Sequence, residues 1–89
     1  MYKIVRKKVL NPTVTLMEID APLVAKKAEP GQFIILRVDE DGERIPLTVA
    51  DFDREKGTVT IIFQIVGATT AKLNTLNEGE YIDILGPSI

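Results

Sequence analysis

Two short stretches hold most of the chemistry this chain can offer. In Gly42-Glu43-Arg44-Ile45-Pro46-Leu47-Thr48-Val49-Ala50, a guanidinium and a hydroxyl lie on one extended segment. In Val66-Gly67-Ala68-Thr69-Thr70-Ala71-Lys72-Leu73, a glycine–hydroxyl turn opens a short helix. A helix start offers backbone N–H groups without intrahelical partners and a positive dipole end, which suits phosphate. Joined, the two stretches describe a site for a phosphorylated, flat and partly apolar ligand.

Each residue also has an ordinary structural reading. Arg44 is either a surface arginine paired with Glu43 or Asp41, or a clamp for a diphosphate, for which a planar, permanently charged fork is well suited. Pro46 removes one ladder donor, so its strand lies at an edge or beside an opening, where free backbone groups are open to a ligand. Leu47 could cover a flat ring by dispersion and Thr48 could hydrogen-bond a ring nitrogen, yet both are ordinary strand residues too. Thr69 or Thr70 could serve only as a helix cap. A cap does not need Gly67, whereas close backbone approach to a ligand does. Pro30-Gly31-Gln32-Phe33 reads as a turn running into a buried strand with Phe33 in the core, and Asp51 and Asp53 read as solvated turn carboxylates. No nucleophile–base couple can be assembled, so no catalytic side chain is assigned, and a bound cofactor must carry any reaction.

Composition narrows the classes. The chain has 89 residues, enough for one domain of modest core. With 45% hydrophobic and 27% charged residues it is an ordinary globular sequence rather than a disordered one. The net charge of −2 and the lack of a basic stripe argue against nucleic acid. Lys3, Arg6, Lys7 and Lys8 read as the solvated face of an edge strand. With no cysteine and no histidine, thiolate chemistry, iron–sulfur ligation and His-based metal sites within this chain are excluded. The absence of cysteine fits a reducing cytoplasm, and no apolar run is long enough to span a bilayer.

The elements that must position these residues are short strands. Extended segments are expected over 2–10, 13–19, 32–38, 44–51, 58–66 and 81–85, with a connector of some helical tendency over 23–29 and a helix over 69–76. The run 32–38 is almost wholly apolar, as in a strand buried on much of both faces. In 58–66, Val59, Ile61, Phe63 and Ile65 alternate with Thr60, Ile62, Gln64 and Val66. The fold class expected is all-β: a six-stranded antiparallel barrel with one short helix.

The order Pro30-Gly31-Gln32-Phe33, then Arg44-Ile45-Pro46-Leu47-Thr48, then Gly67-Ala68-Thr69-Thr70-Ala71-Lys72-Leu73, then Gly79 and Gly86-Pro87, resembles the flavin-binding domain of the ferredoxin–NADP reductase superfamily. It looks closest to the branch of electron-transfer subunits. The resemblance implies a six-stranded Greek-key barrel that binds FAD. It further implies that Arg44 holds the pyrophosphate and that Pro46 and Leu47 lie against the isoalloxazine. Thr48 would then reach the ring's polar edge, Val66 and Gly67 would approach the flavin through their backbone, and Thr69 and Thr70 would receive phosphate. Many relatives carry an Arg directly before that Pro; here Ile45 occupies the place and Arg44 stands one residue earlier.

The resemblance also implies a nicotinamide-binding domain beyond Gly86-Pro87 and, past it, a cysteine cluster holding a [2Fe-2S] centre. The expectation is therefore that 1–89 is the FAD barrel of a longer reductase subunit. That subunit would pass electrons between NAD(P)H and an iron–sulfur partner in the cytoplasm. The alternative is a non-enzymatic small barrel that serves binding or assembly; 6% aromatic residues speak against a single-strand nucleic-acid platform.

Overall fold

A computed structural model describes residues 1–39 and 41–88, with side chains described through residue 85 apart from Glu40; Glu40, in the predicted turn, and Ile89 lie outside the described residues. Six strands are present: β1 (Tyr2–Asn11), β2 (Val14–Asp20), β3 (Phe33–Arg37), β4 (Arg44–Asp53), β5 (Thr58–Gln64) and β6 (Tyr81–Ser88). Two short helices, α1 (Pro22–Lys27) and α2 (Ala68–Asn74), join β2 to β3 and β5 to β6. All pairings are antiparallel, and the order β1-β2-β5-β4-β3-β6 closes into a barrel. Strands β3, β4 and β5 run as consecutive neighbours, while β2 and β6 return by longer connections to lie beside β5 and β3, which is Greek-key topology. The expected class is therefore present. The second helix, α1, forms where the sequence offered only a helical tendency, with proline in its first turn and Lys26 and Lys27 in its last.

Alternation fills the barrel. Met17 and Ile19 from β2, Ile34 and Leu36 from β3, Ile45 and Val49 from β4, and Val59, Ile61 and Phe63 from β5 point inward and are buried. Ile4, Ile82 and Ile84 complete the wall, and Leu73 of α2 enters the same cluster with no exposure. Strand β3 departs from expectation. Only Ile34 and Leu36 are buried, and Phe33 is 50% exposed, so Phe33 is not a core residue. The period of two decides this: once Ile34 and Leu36 face inward, Phe33, Ile35 and Arg37 must face out. A continuous apolar run does not by itself reveal that a strand has one wet face.

Each helix occupies one end of the barrel. At the α1 end, Gly57 adopts φ +72°, and a Cβ there would stand 3.0 Å from the Pro22 ring, so glycine is needed for both reasons. Asp53 accepts the N–H groups of Glu55 and Lys56 at 3.0 Å, which makes it the turn carboxylate that the sequence suggested. At the other end, α2 is tied down by its own sequence. Asn74 accepts the Thr15 hydroxyl at 2.7 Å, and its carbonyl accepts Lys7 Nζ at 2.5 Å. Lys7 thus places a cation at the C-terminal end of the helix, where the dipole favours one. The rest of the basic cluster is a solvated strand face: Arg6 pairs with Glu18 at 3.0 Å, and Lys3 and Lys8 are exposed. No helix among the described residues is long and apolar enough to cross a membrane.

Leu73 is the apolar anchor of α2. Leu73→Ala should cost about 2–5 kcal/mol of folding free energy in a urea titration, because it opens a cavity inside the barrel end.

Candidate functional site

Strand β4 divides its pairing between two neighbours. Its first half, Arg44–Thr48, pairs with β3 through Arg37↔Arg44, Ile35↔Pro46 and Phe33↔Thr48. Its second half pairs with β5 from Val49↔Ile61 to Asp53↔Thr58, with a bulge between Val49 and Asp51. Among the described residues, no strand pairing joins 44–48 to β5. The wall between these β4 residues and 62–66 is therefore left open.

Backbone parity shows what faces that opening. Val49 donates its N–H to Gln32 O, on the β3 side, at 2.7 Å. In an antiparallel ladder a residue's N–H and C=O share one side, and the side alternates along the strand. Ile45 and Leu47 therefore also bond toward β3, while the backbone of Arg44, Pro46 and Thr48 is turned toward β5. This explains a proline inside the strand: its missing donor lies on the side of the opening, and no β3–β4 bond is lost. The expectation of an edge or an opening at Pro46 is met in this form.

Side chains follow the same period. Arg44, Pro46 and Thr48 are exposed on the outer face, beside half-exposed Phe33, whereas Ile45 is buried. Leu47 lies on the inner face, half-buried and packed on the core, so it does not share the face of Pro46 and Thr48. The Arg44 guanidinium makes no ion pair or hydrogen bond among the described residues, which sets aside its pairing with Glu43 or Asp41.

The glycine–threonine corner closes one end of this opening. Gly67 is the N-cap of α2, and its carbonyl accepts the Ala71 N–H at 2.9 Å. Thr70 reaches back: its hydroxyl accepts the N–H groups of Val66 at 2.9 Å and Gly67 at 3.2 Å, and donates to Gly67 O at 3.2 Å. Those contacts use both acceptor sites and the one donor of a hydroxyl. Thr70 therefore builds the corner, as the capping reading supposed. Thr69 has a different partner, donating to Glu43 Oε2 at 2.9 Å. Lys72 bonds Asp39 Oδ2 at 2.7 Å. These two contacts join α2 to the turn before β4, so the two stretches, far apart in the sequence, form one corner. A shallow cleft of about 240 Å³ lies there, lined by Asp41, Gly42, Glu43, Ala68, Thr69 and Lys72.

Gly67 itself is informative. Its φ of −169° is extended backbone that any residue adopts, and a Cβ there would meet nothing within 4 Å. Nothing in the protein's own packing calls for a glycine at this point. Beside it, Val66 is 75% exposed. A bare backbone and an uncovered apolar side chain at the end of an unlaced wall are what a flat ligand would use. Glu43 is the participant that residue-by-residue reading missed. Its adjacency to Arg44 was the only signal, and that does not reveal a contact 26 residues away.

Comparison with known proteins agrees with the fold. No family model matches the chain. A protein of Clostridium beijerinckii described as an uncharacterized protein in the adh 3' region is 60% identical over 98% of this chain, which covers 30% of that protein. The dihydroorotate dehydrogenase B (NAD(+)) electron transfer subunit homolog of Thermotoga maritima is 44% identical over 98% of this chain and 31% of its own length. Among solved structures, an NADH-dependent reduced ferredoxin-NADP oxidoreductase, studied for flavin-based electron bifurcation, superposes with TM-score 0.93 at 43% identity, over 98% of this chain and 32% of its own. A siderophore-interacting protein from Acinetobacter baumannii matches with TM-score 0.76 at 22% identity, which shows the fold alone. The chain thus spans about a third of the length of the relatives it matches.

Two outcomes test this geometry. Pro46→Ala should change stability by about 1 kcal/mol or less, while Leu47→Pro, which removes a donor on the β3 side, should cost about 2–4 kcal/mol by chemical denaturation. The hydrogen bond from Lys72 holds the Asp39 carboxyl below its ordinary pKa. That contribution to stability is present above the ordinary carboxylate range and is lost as pH falls through the lowered value. In a carboxyl-carbon NMR titration, Lys72→Met should bring Asp39 back up toward its ordinary range. Over nearly its whole length, the chain is similar to about a third of an electron transfer subunit homolog and carries a ferredoxin–NADP reductase-like barrel.

Proposed function

We propose that this chain is the FAD-binding barrel of an NAD(P)H-dependent flavin oxidoreductase subunit that works in the cytoplasm. The observation that carries the reading is the unlaced wall between Arg44–Thr48 and 62–66, which ends at the Gly67 corner. An isoalloxazine is flat, with polar atoms along its edge. It fits a site with apolar side chains and turned-out backbone groups: Pro46 and Val66 on its faces, and the backbone of Pro46 and Thr48 at its edge. Leu47 would support the ring from beneath the wall, since its side chain packs on the core.

The diphosphate falls to Arg44, whose guanidinium has no partner among the described residues, and to the N–H groups at the start of α2. The helix has only seven residues, so its dipole is small and the individual N–H groups matter more than the field. Thr70 would act by holding the corner, and Thr69, whose hydroxyl proton is given to Glu43, by tying α2 to the turn before β4. When bound, a flavin supplies hydride acceptance and single-electron release, chemistry that no side chain of this chain provides. The chain's part is to seat the ring, cover one face and hold the phosphates. The nicotinamide site, the [2Fe-2S] centre and the iron–sulfur or flavin partner would belong to other domains or subunits, in keeping with a chain that spans a third of its relatives.

The test is a flavin-fluorescence titration of the 89-residue chain, with FAD and with riboflavin. Quenching by wild type should weaken about ten- to a hundredfold for FAD in Arg44→Ala, the loss expected for one charge-assisted phosphate contact. Riboflavin, which lacks phosphate, should bind wild type and variant alike. No quenching of FAD at about millimolar flavin, or an FAD affinity untouched by the substitution, would contradict the reading.

A further inference from the structure

The outer face of the β3–β4 ladder carries apolar surface that the barrel does not use for its own packing. Val49 donates to Gln32 O at 2.7 Å, which makes these two a hydrogen-bonded pair. By alternation, Phe33↔Thr48 and Ile35↔Pro46 are non-hydrogen-bonded pairs, in which Cα atoms approach to about 4.5 Å and side chains stand closest. All four side chains lie on the outer face: Phe33, Pro46 and Thr48 are exposed and Ile35 is half-buried. The other two phenylalanines are covered. Phe63 is buried in the barrel, and the ring of Phe52 has the Arg54 guanidinium 4.7 Å from its centroid. Phe33 alone keeps half of its surface in water. A single exposed apolar side chain needs no explanation, whereas a contiguous apolar patch rimmed by polar groups marks a binding surface.

We infer that Phe33 contacts the hydrocarbon end of the isoalloxazine and so sets which way the ring lies across β4. This rests on the flavin reading above. The ring has two unlike ends, a dimethylbenzene and a pyrimidine-dione that carries the hydrogen-bonding groups. The surface around Pro46 is divided in the same way. Toward β5, the backbone of Pro46 and Thr48 is turned into the unlaced seam and has no strand partner among the described residues. Toward β3, the same outer face offers Phe33 and Ile35. The reverse placement would set the pyrimidine carbonyls against these two side chains without donors, and it would face the seam's backbone groups with hydrocarbon. Both carry a desolvation cost. An aromatic side chain here also gains from an offset or edge-to-face contact with the ring, which an aliphatic one does not. Phe33 stands one narrow pair from Thr48, so a ring lying over Pro46 and Thr48 meets it with no movement of the backbone.

The experiment titrates riboflavin and FAD, in parallel, into the wild-type chain and into Phe33→Ala, Phe33→Tyr and Leu23→Ala. Phe33→Ala should weaken both flavins by the same factor, about three- to tenfold, because the lost contact is to the ring and not to the phosphates. Phe33→Tyr keeps the aromatic ring and should bind as wild type does. Leu23→Ala removes an exposed apolar side chain of α1, at the other end of the barrel, and should change neither affinity. A second readout uses the wild type alone and so does not depend on how a variant folds. With riboflavin bound, nuclear Overhauser contacts should join the Phe33 ring protons to the two methyl groups of the flavin. Two results would overturn the inference while leaving the flavin reading standing: affinities unchanged in Phe33→Ala, as expected if this face is reserved for another domain, or the absence of those methyl contacts. A wild type that binds neither flavin would overturn both.

Discussion

Strand β4 cannot pair fully with both neighbours, and the rest of the site depends on that constraint. Its first half faces β3 and its second half faces β5, with the bulge between Val49 and Asp51 at the handover. A barrel normally satisfies backbone donors and acceptors around its whole circumference. Here closure is kept by Val49–Asp53, and the upper part of the seam is given up. Pro46 fits the given-up part because its nitrogen has nothing to donate. The exposed Val66 and the bare Gly67 then line the same gap.

The second requirement is that α2 stay against the turn before β4. Leu73 inside the barrel and the Thr15–Asn74 bond hold its body, while Thr69–Glu43 and Lys72–Asp39 hold its outer side. The outer pair is exposed, so each contact contributes little to stability by itself. Their role is positional. They bring a helix start to within one residue of Arg44, which neither stretch could arrange alone. Core packing thus fixes where α2 lies, and surface polar contacts fix how it meets the turn.

Much of this was legible in the sequence, and for identifiable reasons. The alternation Val59, Ile61, Phe63, Ile65 marked β5, because one face must be apolar and the other wet. Pro46 announced an incomplete ladder, because a missing N–H has few tolerable places in a sheet. Phe33 was misread: an apolar run conceals which face is buried until a partner strand fixes the register, and Thr48 opposite Phe33 turned out to lie outside. The inward turn of Leu47 and the bond from Thr69 to Glu43 were invisible for a related reason. Both depend on pairings between elements distant in the chain. The order of the short motifs pointed to the fold as a whole, and a solved structure at 43% identity has the same barrel.

Amide chemical-shift mapping of the isotope-labelled chain during an FAD titration addresses the central claim most directly. If the unlaced seam seats the ring, the largest changes will fall on Thr48, Val66, Gly67 and Thr69, with the β1–β2 face quiet. Changes centred instead on the cleft lined by Lys7, Val9, Asn77 and Glu78 would contradict the account.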